Sequence, residues 1–458
     1  MTGRRDRAKS PLPRPYYLWL SGALASILGD AVLYFALGWA AATHGGTVAG
    51  LVLTAINLPR VLLLIVGGTV GDRFGARRVM IAGDAVMLAG TLVLAAVSHQ
   101  AGPAVWLLVA TGVLVGVKDA FYLPASGSMP LRLVGKESLP RALAMRQGGA
   151  QLVTFVAGPL GGALVAAGGL TGTALLNAAT FAVILVVLIA VRPVFDIPPA
   201  QSSGSFLRDA MDGVGTGMKD PVLRAALLVT GGVAGFLLPV IPLLLPLLAR
   251  QEHWSAGWTG VIFGAQSLGL LGVTLLVMVR GALGRPGLAA GVGVLVAAGG
   301  LGLLALAPGA AVLAAVLVGV GSGLFASHIG PLVLMSAPHS HLARMQALLT
   351  LVQSVALLAM NNVLGNLSRL TSPDTAILAC GAAIALTGCA ALGSGPLRTA
   401  TTATPAPEPE QEPTVAGATD RAWGGGGGRP PPRPPPPPPP PPGRGPAPRP
   451  PPRGPPRA

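Results

Sequence analysis

Residues 68–78 read Gly68-Thr69-Val70-Gly71-Asp72-Arg73-Phe74-Gly75-Ala76-Arg77-Arg78 and separate two long apolar segments. The segment before them, about residues 47–70, and the segment after them, about 79–98, are each long enough to cross a bilayer, because a membrane helix needs about 20 apolar residues. A short turn that carries three arginines is expected on the cytoplasmic side. The stretch therefore predicts a cytoplasmic loop between two membrane helices.

The composition of the whole chain indicates an integral membrane protein. Its 458 residues are 52% hydrophobic and only 10% charged, and the mean hydropathy is +0.66. The net charge of +15 would suit a nucleic-acid binder if the basic residues shared one soluble face. Most of them instead fall in short segments between apolar runs, on the side predicted to be cytoplasmic. We therefore expect a lipid bilayer as partner and no nucleic acid.

Twelve apolar runs predict an all-α integral membrane protein with 12 transmembrane helices in two six-helix bundles. The runs are 17–42, 47–70, 79–98, 104–123, 141–167, 170–191, 221–249, 256–279, 286–307, 309–335, 342–365 and 374–395. An even number of crossings and a basic start place both termini in the cytoplasm. The predicted domains are a basic N-terminus at 1–16, bundles at 17–191 and 221–395, a cytoplasmic central loop at 192–220 and a disordered Pro/Gly-rich tail at 396–458. The central loop forms either a short helix on the inner leaflet or a flexible linker.

The spacing G-x-x-x-D-R-x-G-x-R-R in residues 68–78 resembles the signature loop between helices 2 and 3 of the major facilitator superfamily. Ala76 departs from it, because the family usually has a basic residue there. The resemblance implies the major facilitator fold, and it implies that Asp72 holds a cytoplasmic contact between the halves near Arg344. The gating and signature residues it implies are Gly68, Asp72, Arg73, Gly75, Arg77 and Arg78.

Two further stretches resemble the drug-efflux branch related to macrolide and siderophore exporters. Helix 5 contains Ala157-Gly158-Pro159-Leu160-Gly161-Gly162, similar to the G-P-x-x-G-G motif of exporters but one residue short. Leu123-Pro124-Ala125, followed by Met129-Pro130 and Leu133-Val134, resembles the loop after helix 4 in that branch. The resemblance implies export of small amphipathic compounds. A family importer or facilitator is the main alternative, and a receptor or membrane anchor without transport is a more distant one.

Ionisable side chains inside a membrane are costly and are functional by default. Counting about 1.5 Å per residue places Asp30 and Arg60 roughly 15–20 Å deep, near the midplane. The resemblance implies that helix 1 lines the central cavity, so Asp30 is the preferred proton or cation carrier, with Arg60 as its expected partner. A static Asp30–Arg60 pair that only holds helices 1 and 2 together is the alternative. An inner cluster with a structural or gating role is expected from Asp84, Lys118, Asp119 and Arg146.

The second half has fewer polar candidates. Gln266, His328 and Gln353 are expected at the cavity, although a lone membrane histidine is more often a hydrogen-bonded packing residue. Two departures from the family concern coupling. The loop after helix 8 has no acid, and helix 4 lacks the mid-helix arginine that many proton antiporters use, with Lys118 expected near the inner end of the helix instead.

No motif of an enzyme or a nucleotide site occurs in the sequence. We therefore expect a transporter without cofactor or metal, with the proton gradient as its energy source. It is expected to act as a monomer in the cytoplasmic membrane, with protons and a small amphipathic substrate as its partners.

Overall fold

The apolar runs fold as long helices. The computed structural model describes residues 12–135, 137–192, 195, 220–336 and 342–400, without the side chains of 64, 65, 68, 69, 72, 334–336 and 342–347. Nearly all of this part of the chain is helical. The central loop and the Pro/Gly-rich tail lie almost entirely outside the described residues.

The first half begins with α1 at Arg14–Ala42, α2 at Gly46–Phe74, α3 at Ala76–Ala101, α4 at Val105–Leu133 and α5 at Leu139–Ala190. The second half has α6 at Pro221–Phe236, a π-helical turn at Val240–Leu244, α7 at Leu245–Gln251, α8 at Ala256–Arg280 and α9 at Pro286–Leu306. A 3-10 turn at Pro308–Ala310 precedes α10 at Ala311–Ser336, α11 at Leu342–Leu370, α12 at Pro373–Gly393 and α13 at Gly395–Thr399.

Element α5 contains two crossings. Gly169 breaks it with φ 59° and ψ −153°, a left-handed conformation that side chains other than glycine rarely adopt. The first arm, 139–168, runs parallel to α1, and the second arm, 170–190, runs antiparallel to it. The neighbouring pairs that show this are Gly149 with Leu24, Gly161 with Phe35, Gly22 with Val187 and Gly29 with Thr180. In the described residues, eleven segments are long and apolar enough to span a membrane, and the hairpin in α5 raises the crossings to the twelve predicted.

Two predicted loops are wrong because helices continue beyond the apolar runs. Residues 68–78 form the end of α2 and the first turn of α3, and only Gly75 separates the helices, with φ 88°. The predicted loop after residue 123 is the last third of α4, which contains Pro124 and Pro130 and ends at Leu133. A helix satisfies its own backbone hydrogen bonds whether or not its side chains are apolar, so a drop in hydropathy does not end it.

The predicted tail begins too early. Residues 395–399 form α13, and the side chain of Leu397 is only 1% exposed. Its backbone packs so closely on α9 that a side chain at Gly287 would meet the Leu397 carbonyl. The folded part of the chain therefore extends at least to the end of α13.

The two halves meet along two seams. One joins the start of α2 to the end of α11, where Thr47 Oγ1 donates to Asn366 Oδ1 at 2.9 Å and Asn362 Nδ2 donates to Thr54 Oγ1 at 2.8 Å. Gly46 and Gly365 let these backbones touch. The second seam joins the end of the first arm of α5 to the start of α8. Both seams lie at the ends of the helices away from the start of α1, so the halves are closed together on the side predicted to be outside.

Candidate functional site

A cluster of charged side chains lies at the middle of α1 and α4. Lys118 is the fourteenth residue of the 29-residue helix α4, and its side chain is only 3% exposed. Its Nζ lies 2.7 Å from Oδ2 of Asp30 and 3.5 Å from Oδ1 of Asp119. One buried ammonium group is thus shared by two carboxylates. This pairing is the main condition under which a charge is tolerated away from water.

Aromatic side chains complete the surroundings of Lys118. Its Nζ lies 4.6 Å from the centre of the Tyr122 ring and 5.4 Å from that of Phe181, distances at which a ring face attracts a cation. Tyr34 donates its hydroxyl to Oδ2 of Asp119 at 2.8 Å. The sequence analysis missed these residues. Tyr34 follows Asp30 by four positions and Tyr122 follows Lys118 by four, a spacing that places side chains on one helix face and was the available signal.

The expected partner of Asp30 is wrong. Asp30 pairs with Lys118, whereas Nη1 of Arg60 lies 4.0 Å from Oδ2 of Asp119. The expected depth of Lys118 is also wrong, since the apolar run stops at residue 123 and the helix continues to Leu133. Lys118 therefore lies mid-helix, at the level of Asp30. The side chain of Arg60 is 42% exposed, which leaves it at the edge of the cluster.

A small cavity of about 110 Å³ adjoins these charges. Its lining includes Asp30, Lys118, Asp119 and Arg146, so three of the four residues of the expected inner cluster share one space with Asp30. Nη2 of Arg146 lies 3.4 Å from Ser126 Oγ, and its guanidinium lies 5.9 Å from the Trp19 ring centre. The predicted separation into a midplane pair and an inner cluster is thus replaced by one continuous group of charges.

Asp84 lies on α3, on the other side of this group. Its side chain is fully buried, and neither carboxyl oxygen has a hydrogen-bond partner among the described residues. The hydroxyl of Tyr122 likewise has none in that part of the chain. Asp84 is near enough to Lys118 and Tyr122 to interact with them electrostatically.

The arginines of residues 68–78 have different surroundings. Arg77 donates to carbonyl oxygens at the end of α5, from Nε to Leu188 at 2.7 Å and from Nη2 to Ile189 at 2.9 Å. Arg73 lies over the Phe74 ring at 5.7 Å, and Arg78 is exposed. The side chains of Asp72 and Arg344 and the surroundings of Gly68 lie outside the described residues, so the expected contact between the halves stays a prediction.

The glycines of the helix 5 motif form the second seam. Gly158 and Gly162 lie so close to α8 that an added side chain would meet the backbone of Gly260. Pro159 packs its ring on Gly264 of α8, while Gly161 faces Phe35 of α1. Small residues permit this approach of helix backbones.

The polar candidates of the second half are not grouped together. Gln266 lines a cavity of about 300 Å³ with residues of α5, α8 and α10 and of the segment 237–242 that follows α6. His328 is buried and uses both ring nitrogens: Nε2 accepts from the Leu283 backbone at 3.1 Å, so Nδ1 donates to the Leu324 carbonyl at 2.8 Å. Gln353 has an exposed side chain on α11. The geometry of His328 is that of a packing residue.

Comparison with protein families supplies the class of this fold. The family model described as Major Facilitator Superfamily matches residues 19–360. The chain belongs to the major facilitator superfamily. Membership in this superfamily and its transporter neighbours point to a transporter rather than an enzyme, as the sequence predicted. No curated protein matches the sequence.

Solved structures of other transporters share this fold at low sequence identity. The nucleoside transporter NupG has a TM-score of 0.67 and 11% identity, over 83% of this chain and 100% of its own. A POT family transporter in complex with 5-aminolevulinic acid has a TM-score of 0.66 and 12% identity, over 85% and 97%. A D-xylose-proton symporter has a TM-score of 0.63 and 13% identity, over 82% and 98%.

Proposed function

We propose that this superfamily member is a secondary active transporter that exports small amphipathic compounds in exchange for protons. The observation that carries the proposal is the Asp30–Lys118 contact of 2.7 Å at the middle of α1 and α4. A carboxylate can take up and release a proton, and the neighbouring ammonium group favours its charged form. A proton bound at Asp30 would weaken the contact between α1 and α4, which links protonation to the packing of the helices.

The proposed substrate site is the cavity next to Gln266. Its volume of about 300 Å³ is at the lower end of the range of small-molecule sites. Its lining combines apolar residues such as Leu237 and Phe263 with the polar side chains of Gln151, Thr154 and Gln266. An apolar surface with a few polar groups suits an amphipathic compound.

The direction of transport is proposed from the helix 5 motif. Gly158, Pro159 and Gly162 contact α8 directly, and the motif resembles that of exporters in the superfamily. Import by proton symport is the alternative, because one of the proteins with this fold is named as a D-xylose-proton symporter.

A two-step experiment tests the proposal. A susceptibility panel first compares cells with and without the protein to find compounds to which it confers resistance. Such a compound is then offered to inverted membrane vesicles with an imposed acid interior. Exchange for protons predicts uphill uptake that a protonophore abolishes. Uptake only into right-side-out vesicles with an acid exterior would instead identify a symporter, and no gradient dependence in either preparation would contradict secondary active transport.

A further inference from the structure

A third cavity, larger than the two described above, opens between α2 and α3, apart from the proposed substrate site. It has a volume of about 460 Å³, and α4 forms its floor. Apart from two cations and the hydroxyl of Tyr122, its lining is apolar. The lining residues are Val70, Phe74, Arg78, Val79, Ala82, Gly83, Val86, Leu114, Val117, Lys118, Phe121 and Tyr122.

The cavity follows from how these helices pack. Helix α2 packs mainly on α4, whereas α3 packs on both α5 and α4, and α2 and α3 have little contact with each other. The Tyr122 ring forms part of this floor, and a side chain at Gly83 of α3 would lie 3.6 Å from it. Phe74 and Val86 flank the opening and are 55% and 52% exposed, so the cavity faces the lipid.

The cavity has the depth of one membrane leaflet. Arg78 lies in the first turn of α3, where the helix enters the membrane from the inner side. Val86 lies eight residues further along, about 12 Å deeper at 1.5 Å per residue. Half of the hydrocarbon core is about 15 Å thick. The space therefore extends from the level of lipid headgroups almost to the midplane.

The charges of the cavity favour an anionic molecule. Lys118 is neutralised by Asp30 and Asp119. Arg78 is exposed at the opening, and among the described side chains no carboxylate lies within ion-pair distance of it. Arg73, next to the lining residue Phe74, adds a second cation. An anionic headgroup at the inner surface gains from such side chains.

We propose that this cavity binds one acyl chain of an anionic phospholipid from the inner leaflet, with the phosphate held by Arg78. The apolar lining accepts the chain, and the arginine at the opening selects the charge of the headgroup. Lys118 and Tyr122 line both this cavity and the small cavity at the charge cluster. The bound acyl chain therefore forms the lipid-side wall of the cluster that the proposed transport uses.

Native mass spectrometry of the purified full chain, equilibrated with equal amounts of phosphatidylglycerol and phosphatidylcholine, tests this site. Ala82→Trp fills the cavity from an exposed position, and Ala82→Leu is a milder version in case the larger residue impairs folding. Ala85→Trp is the matched control, because Ala85 is exposed on the same helix but does not line the cavity. We expect wild type and the control to retain phosphatidylglycerol and both Ala82 variants to lose it.

The headgroup is tested with Arg78→Gln, which should bind phosphatidylglycerol about fivefold more weakly, the effect of one arginine at a membrane surface. Arg141→Gln, an exposed arginine in the first turn of α5, controls for general surface charge and should bind as wild type does. Equal retention of phosphatidylglycerol by Ala82→Trp, Ala82→Leu and wild type would overturn the site. Equal retention of both lipids by wild type would overturn the anionic headgroup. Neither result depends on export activity, so the outcome is separate from that of the proposed function.

Discussion

Replacing Asp30 by Asn removes one charge from the shorter of the two ion pairs of Lys118 while keeping nearly the same size. In the wild type the Asp30 contact measures 2.7 Å and the Asp119 contact 3.5 Å. If Asp30 carries the coupling proton, the variant cannot link transport to the gradient. Substrate binding should persist, because an apolar cavity supplies most of that affinity. We therefore expect uphill export to disappear and downhill exchange to remain.

The structure also sets the expected loss of stability. Removing one partner of a buried ion pair costs about 3–5 kcal/mol. Lys118 keeps Asp119 and the faces of Tyr122 and Phe181, so we expect the low end, about 3 kcal/mol. The matched variant Asp119→Asn leaves the 2.7 Å pair with Asp30 in place. It should cost only about 1 kcal/mol, since the amide oxygen still accepts from Tyr34.

Two measurements on the same variants separate a proton carrier from a structural pair. Proton-driven uptake into inverted vesicles reports coupling, and thermal unfolding of the purified protein reports stability. The double change of Asp30→Asn with Lys118→Met removes the cation that lost its shorter ion pair, while Asp119 keeps Arg60 and Tyr34. It should therefore recover part of the stability but no uphill transport. Uphill transport by the Asp30→Asn single variant would refute Asp30 as the carrier. Equal destabilisation by Asp30→Asn and Asp119→Asn would refute the stronger role of the 2.7 Å contact.

Three other predictions concern the rest of the fold. Ending the chain after residue 400 should leave expression and transport unchanged, whereas ending it after residue 396 removes the buried Leu397 and should reduce the yield of folded protein. Arg77→Gln should lower the unfolding temperature, because losing hydrogen bonds from a charged group costs about 1.5–3 kcal/mol of folding stability. Arg73→Gln should leave it unchanged, because Arg73 makes no such bonds to α5 among the described residues. Gly365→Leu forces a side chain onto the α2 backbone. It should open the seam between α2 and α11 and increase the labelling of a cysteine introduced there. Gly302→Leu, which meets open space, should not.

The charge cluster shows what a linear reading of hydropathy can and cannot find. All five of its charged residues, Asp30, Arg60, Lys118, Asp119 and Arg146, stand out in the sequence because ionisable groups are rare inside membranes. Their pairing was predicted wrongly, since depth was counted from the ends of apolar runs. Helix α4 continues for ten residues beyond its run, and that extension moves Lys118 from the inner end to the middle.

The sequence alone determined the membrane class, the number of crossings and the superfamily. These depend on local properties: each crossing must be apolar over the bilayer thickness and must satisfy its own backbone hydrogen bonds. Only the tertiary structure decided which charges meet, because the contact between Lys118 and Asp30 joins residues 88 positions apart. It likewise decided that the helix 5 glycines lie against α8 and that α2 and α3 leave a space over α4. Such contacts depend on the rotation and depth of each helix relative to its neighbours, which hydropathy along a single helix does not specify.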